Sequence, residues 1–158
     1  MTKTEKIKPL TICVDFDDTV VTHEFPKVGK DIGAERVLKL LVQNGHQLIL
    51  HTMRSDMKNP KSRDYDIHTE GGDYLTDAVN WFKERNIPLY GINENPTQKD
   101  WTTSPKTYAN LYNDDASLGC PLVYGKINAE ERTFEKYKRP YVNWLEVEKY
   151  LFCQGIIK

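Results

Sequence analysis

Asp15 and Asp17 stand just past a short apolar run, Leu10 to Val14, and are separated by one residue. In a near-extended chain, positions two apart leave the same side, so both carboxylates converge on one small volume. Two anions that close repel, and the pair needs either a proton on one of them or a neutralising cation. A second acidic pair, Asp114-Asp115, follows the run Asn110 to Asn113. Four oxygen donors with no thiol or imidazole cluster suit hard Mg²⁺ better than zinc. A calcium loop counted from Asp15 fails, because Val20 occupies the place of the turn glycine and Pro26 that of the final glutamate. Thr52 ends the apolar run Gln47 to His51 and offers a hydroxyl. Arg54, two residues on, offers a planar donor fork that can meet a phosphate in bidentate fashion, or else pair with the carboxylates or stay on the surface.

These positions are all places where apolar runs stop, which implies elements that carry them to one edge. Leu10 to Val14 and Gln47 to His51 read as buried strands, with Pro88 to Ile92 and Asn110 to Asn113 as shorter ones and Leu122 to Tyr124 as a possible fifth. Between them, Ala34, Val37, Leu38 and Leu41 recur at helical spacing after Gly33 and stop at Asn44-Gly45. Leu75, Ala78, Val79 and Phe82 mark a second helix over 73–84, and Val142 to Phe152 a third. Strands alternating with helices predict βαβ units and an α/β fold: a Rossmann-like three-layer αβα sandwich with a mainly parallel sheet. Ligands of such sheets bind beyond the carboxyl ends of the strands, where Asp15, Thr52 and Asp114 are expected.

The chain has 158 residues, 22 Lys and Arg against 23 Asp and Glu, and a formal charge of −1. That length predicts one domain over residues 1–158, able to bury about 69% of its extended surface without a metal or disulfide staple. With 39% hydrophobic and 28% charged residues it is too apolar for a disordered chain and too polar for a membrane protein. Near-neutral charge disfavours bulk attraction to nucleic acid, although a phosphorylated end stays open as a substrate. The first apolar run stops at Asp15, far short of a signal core, and Cys13, Cys120 and Cys153 make no Cys-x-x-Cys pair, so a soluble cytoplasmic protein with reduced thiols is expected.

The run Thr11-Ile-Cys-Val-Asp-Phe-Asp-Asp-Thr-Val20 resembles the first motif of the haloacid dehalogenase-like superfamily, four apolar or small residues followed by Asp-x-Asp-x-Thr. Leu48 to Thr52 resembles its second motif, and Lys106 followed by Asn110 to Asp115 its third and fourth, all in order. Only Val20 to Gly33 and Asn93 to Pro105 are available at the two places where this superfamily inserts cap domains, so the resemblance is to its capless members. It implies Mg²⁺-dependent hydrolysis of phosphomonoesters through an aspartyl-phosphate, with small phosphorylated metabolites as the expected substrates. Asp15 would be the nucleophile and Asp17 the acid-base group. Lys106 would hold Asp15 and phosphate, and Thr52 and Arg54 would bind the substrate. Asp15, Asp17 through its backbone carbonyl, Asp114 and Asp115 would form the metal site. Loops 22–30 and 55–72, with Lys27, Lys30, Lys58, Lys61 and Arg63, would form the rims. A receiver module phosphorylated on aspartate is the competing class, disfavoured because the middle strand ends in Thr52 rather than Asp. A non-catalytic binding protein on the same fold is the third.

Overall fold

The computed structural model describes residues 8–57, 71–124 and 139–158. In chain order the elements are β1 (Thr11–Val14), α1 (Ala34–Gln43), β2 (Gln47–Leu50), β3 (Asp56–Met57), β4 (Gly72–Asp73), α2 (Tyr74–Glu84), β5 (Gly91–Ile92), β6 (Leu111–Asn113), β7 (Leu122–Val123), β8 (Tyr141–Val142) and α3 (Trp144–Cys153). Helix α1 starts where Gly33 takes a left-handed φ of 97°, a conformation that costs a glycine little. The Asp31 carboxylate accepts the Gly33 and Glu35 N–H groups at 3.0 Å each, which satisfies donors at the helix start. Its buried face, Ala34, Val37, Leu38 and Leu41, follows the predicted helical spacing.

Four strands form one parallel sheet in the order β5-β2-β1-β6, so β1 is central and the chain direction across the sheet reverses beside it. Val14 pairs with Leu50 on one side and Asn113 on the other, which brings the ends of β1, β2 and β6 level. This is a layered α/β fold of the Rossmann-like kind. Ile12, Val14, Leu48 and Leu50 pack against Val37, Leu38 and Leu41 of α1, Trp81 and Phe82 of α2, and Trp144 and Leu151 of α3. Cys13 and Ile49 point to the opposite face, as alternation requires, and pack with Ala109 and Tyr90. Both faces are thus covered, one by three helices and the other by segments flanking β5 and β6.

Two boundaries move by two residues or more from the sequence expectation. Regular pairing in the third strand shrinks to Gly91–Ile92, where a Cβ at Gly91 would stand 2.1 Å from the Glu94 carbonyl oxygen as the chain turns back. The last helix starts at Trp144 rather than Val142, because Val142 pairs with Leu122 in an antiparallel ribbon and Asn143 caps the helix through its side chain. Neither expected insertion point carries a domain. Val21 bridges to Asp31 across one loop, and a single 3₁₀ turn, Gln98–Asp100, lies in the other. Among the described residues no helix is long and apolar enough to cross a membrane.

Candidate functional site

The chain turns over residues 18–20, two residues past Phe16. The Phe16 carbonyl accepts the N–H groups of Thr19, Val20 and Val21 at 3.3, 2.8 and 3.2 Å, which winds residues 16–21 into a helical turn. Phe16 itself is fully buried against Trp81 and Phe82. Asp17 pairs with Arg54 and is not one of the acids that meet at a point, although its charge still acts on Asp15. Asp15 instead joins Asp114 and Asp115, and one oxygen from each of the three lies within 4.8 Å of the others. Adjacent parallel strands produce this meeting, with the Asp15 N–H donating to the Asn113 carbonyl at 3.0 Å.

Thr19, the last residue of the Asp-x-Asp-x-Thr run, fixes the cluster. Its Oγ1 stands 3.3 Å from both Asp15 Oδ2 and Asp115 Oδ1 and accepts the Asp115 N–H at 3.0 Å. Its carbonyl accepts the Trp144 Nε1–H at 2.6 Å, tying the turn to α3. Sequence reading gave Thr19 no role, although its place in the motif and its small hydroxyl were the available signal.

Among the described residues none of Asp15, Asp114 and Asp115 is in an ion pair. Burial pushes the Asp15 carboxyl up to about 7, with the Asp114, Asp115 and Asp17 charges adding to it against the Phe16 N–H. Asp115 is also raised, first by burial and then by Asp114. Three unpaired, partly buried carboxylates with all-oxygen donors are what a hard divalent cation would neutralise. The residues present fit such an ion.

Of the courses open to Arg54, the structure takes the pairing with a carboxylate. Its Nε and Nη2 donate to Asp17 Oδ2 and Oδ1, both at 2.7 Å, so its fork meets a carboxylate of this chain rather than open space. It is buried in that pairing, and its expected contact with substrate phosphate is not available in this arrangement. Asp18 is structural as well: Arg139 Nε lies 2.9 Å and His23 Nδ1 3.4 Å from its carboxylate, and its carbonyl accepts the Val142 N–H at 2.9 Å.

A cavity of about 270 Å³ opens beside the acid cluster, lined by Asp15, Asp114 and Lys106 together with Cys13, His51, Tyr112, Asn113 and Ser117. Lys106 Nζ lies 5.6 Å from the Tyr112 ring centre and has no ion pair among the described residues. Gln98, buried, holds the loop that carries it, donating to the Ser104 and Lys106 carbonyls at 2.9 and 2.6 Å. The Thr52 hydroxyl accepts the Arg54 N–H at 3.1 Å, which leaves its proton free to donate. Asn93 orients Thr52 by accepting its N–H at 2.8 Å. The candidate rim residues Lys58, Lys61 and Arg63 lie outside the described residues.

No protein-family model and no curated protein matches the sequence. Among solved structures the chain is similar to a conserved protein from Bacteroides thetaiotaomicron, with 33% identity, a TM-score of 0.56, and a match covering 71% of this chain and 80% of that one. The name of that protein states no activity.

Proposed function

The chain belongs to the family of the conserved Bacteroides thetaiotaomicron protein, and from its own side chains we propose that it is a Mg²⁺-dependent phosphomonoester hydrolase, a capless member of the haloacid dehalogenase-like superfamily. One arrangement carries this reading: of three carboxylates clustered at the ends of β1 and β6, Asp15 and Asp114 line the same cavity as Lys106. Acids to hold a cation and a lysine to meet an anion, in one cavity, are the two halves of a phosphate site.

The side chains of Asp15, Asp114 and Asp115 would hold the ion, joined by the Asp17 backbone carbonyl. When bound, Mg²⁺ offsets the negative charge that would otherwise keep a phosphate dianion away from a carboxylate. Asp15 attacks phosphorus, and the bond to the ester oxygen breaks with its electron pair going to that oxygen, which takes a proton from Asp17. Water then attacks the aspartyl-phosphate and passes a proton back to Asp17. The Asp15–phosphorus bond breaks, and inorganic phosphate leaves. Lys106 and the Thr52 hydroxyl steady the phosphoryl oxygens while charge spreads over them. Small phosphorylated metabolites suit the modest cavity.

Turnover of p-nitrophenyl phosphate with Mg²⁺, lost in EDTA and restored by Mg²⁺, tests this directly. Asp15→Asn is expected to abolish it, and beryllofluoride to modify Asp15 in the wild type. Absence of turnover, or an Asp15→Asn variant as active as the wild type at equal metal occupancy, would overturn the covalent reading.

A further inference from the structure

We infer that Arg54 is a positioning residue, which locks the Asp17 carboxylate and the loop segment 26–27 into one unit without touching the phosphate. The lock rests on geometry alone, and its consequence for turnover rests on the phosphohydrolase reading.

A guanidinium has five N–H donors in a fixed plane. Two go to Asp17, from Nε and Nη2, at 2.7 Å each. The second Nη2 hydrogen goes to the Lys27 carbonyl at 2.8 Å, and Nη1 serves the Pro26 carbonyl at 3.2 Å and the Tyr74 carbonyl at 3.5 Å. All five are used. The rings of Phe16 and Phe25 lie against the guanidinium, with Cζ 5.1 Å from each ring centre. The side chain is 1% exposed. Swinging it towards a ligand would strand a carboxylate and three carbonyls, each costly to leave unpaired when buried. Neither Asp17 nor Arg54 lines the cavity that Asp15 shares with Lys106.

The partners come from three places: the turn after β1, the loop over 22–30 and the start of α2. One rigid fork spanning them makes the direction of Asp17 depend on the backbone at Pro26 and Lys27. Lysine cannot reproduce this, because a single ammonium offers three donors from one point instead of a planar fork.

Kinetics on p-nitrophenyl phosphate with Mg²⁺ would be measured for Arg54→Lys, Arg54→Gln, Asp17→Asn and the double variant Asp17→Asn/Arg54→Gln, with circular dichroism to establish folding. Folded Arg54 variants are expected to lose about 10²-fold in kcat, with KM within roughly twofold of the wild type. The double variant should be no slower than Asp17→Asn alone. A KM raised about tenfold with kcat kept would make Arg54 a phosphate ligand, and additive losses would give it a role apart from Asp17; either result overturns the inference. The Arg54 Nε–H resonance of the folded wild type supplies a readout that needs no variant of Arg54. It should exchange slowly with solvent, shift in Asp17→Asn and stay in place when inorganic phosphate and Mg²⁺ are added. Rapid exchange would refute the lock. If the wild type turns over no phosphomonoester, the phosphohydrolase reading falls, and this resonance decides the lock by itself.

Discussion

Asp15 is the residue on which the site's electrostatics concentrate, because burial and three neighbouring acids all favour its protonated form. Its carboxyl is raised from 3.8 to about 7, so between those pH values the folded chain keeps a proton that the unfolded chain has lost. Its contribution to stability is therefore full below about pH 4 and disappears as pH rises through 7. Urea unfolding of the cation-free protein should show stability falling over that range, and falling less in Asp15→Asn; parallel curves for the two proteins would sink the assignment. Thr19 works through shape rather than charge. Thr19→Val keeps the volume but removes the acceptor of the Asp115 N–H and the hydroxyl beside Asp15, at a cost of about 1–3 kcal/mol. It should also raise the Mg²⁺ concentration needed for half-maximal turnover, since two of the three acids lose their common brace. A Thr19→Val protein with unchanged stability and Mg²⁺ dependence would remove Thr19 from the site.

At the scale of elements, the acids owe their meeting to parallel pairing of β1 with β6, while the turn over 16–21 is held from outside the sheet by α3. Trp144 makes that link, burying its indole and donating Nε1–H to the Thr19 carbonyl. Trp144→Phe fills most of the space but leaves that carbonyl without its donor, worth about 1–3 kcal/mol and roughly 2–4 °C in Tm for each kcal/mol. The measurement is a thermal melt alongside a Mg²⁺ titration of turnover, and both should move. A fall in Tm with the Mg²⁺ dependence intact would mean that α3 supports the core and not the site. The elements themselves were legible because they follow local periodicity: the buried stripe of α1 and the apolar runs of β1 and β2 appear where the pattern predicts them. The start of α3 was misplaced because Val142 is apolar in either state, and only its partner Leu122 makes it a strand residue.

For the whole molecule, the absence of a domain at either insertion point leaves a cavity of about 270 Å³ whose walls come from one layer of loops and strand ends. Remote contacts are what discriminate between substrates, and such a cavity collects few of them beyond the phosphate. Several small phosphomonoesters should thus turn over with comparable kcat/KM in a panel of sugar phosphates, nucleotides, phosphopeptides and 3′-phosphorylated DNA ends. One substrate preferred by about a thousandfold, some 4 kcal/mol of extra transition-state binding, would contradict this and require a lid or a macromolecular partner.

The sequence by itself determined the parallel α/β layering and the edge at which the acids collect, because apolar runs that stop at Asp15, Thr52 and Asp114 encode strand ends locally. It could not determine which way each acid faces. Asp15 turns to Asp114 and Asp115 while Asp17 turns to Arg54, a choice made by the turn after β1 and by partners 37 or more residues away. Arg54 has the right chemistry for a phosphate and for a carboxylate, and only the positions of Asp17, Pro26, Lys27 and Tyr74 around it decide between them. Periodicity reports the face a residue shares with its neighbours in sequence. The partner of a buried charge is fixed by packing of distant segments, and that information exists only in the folded chain.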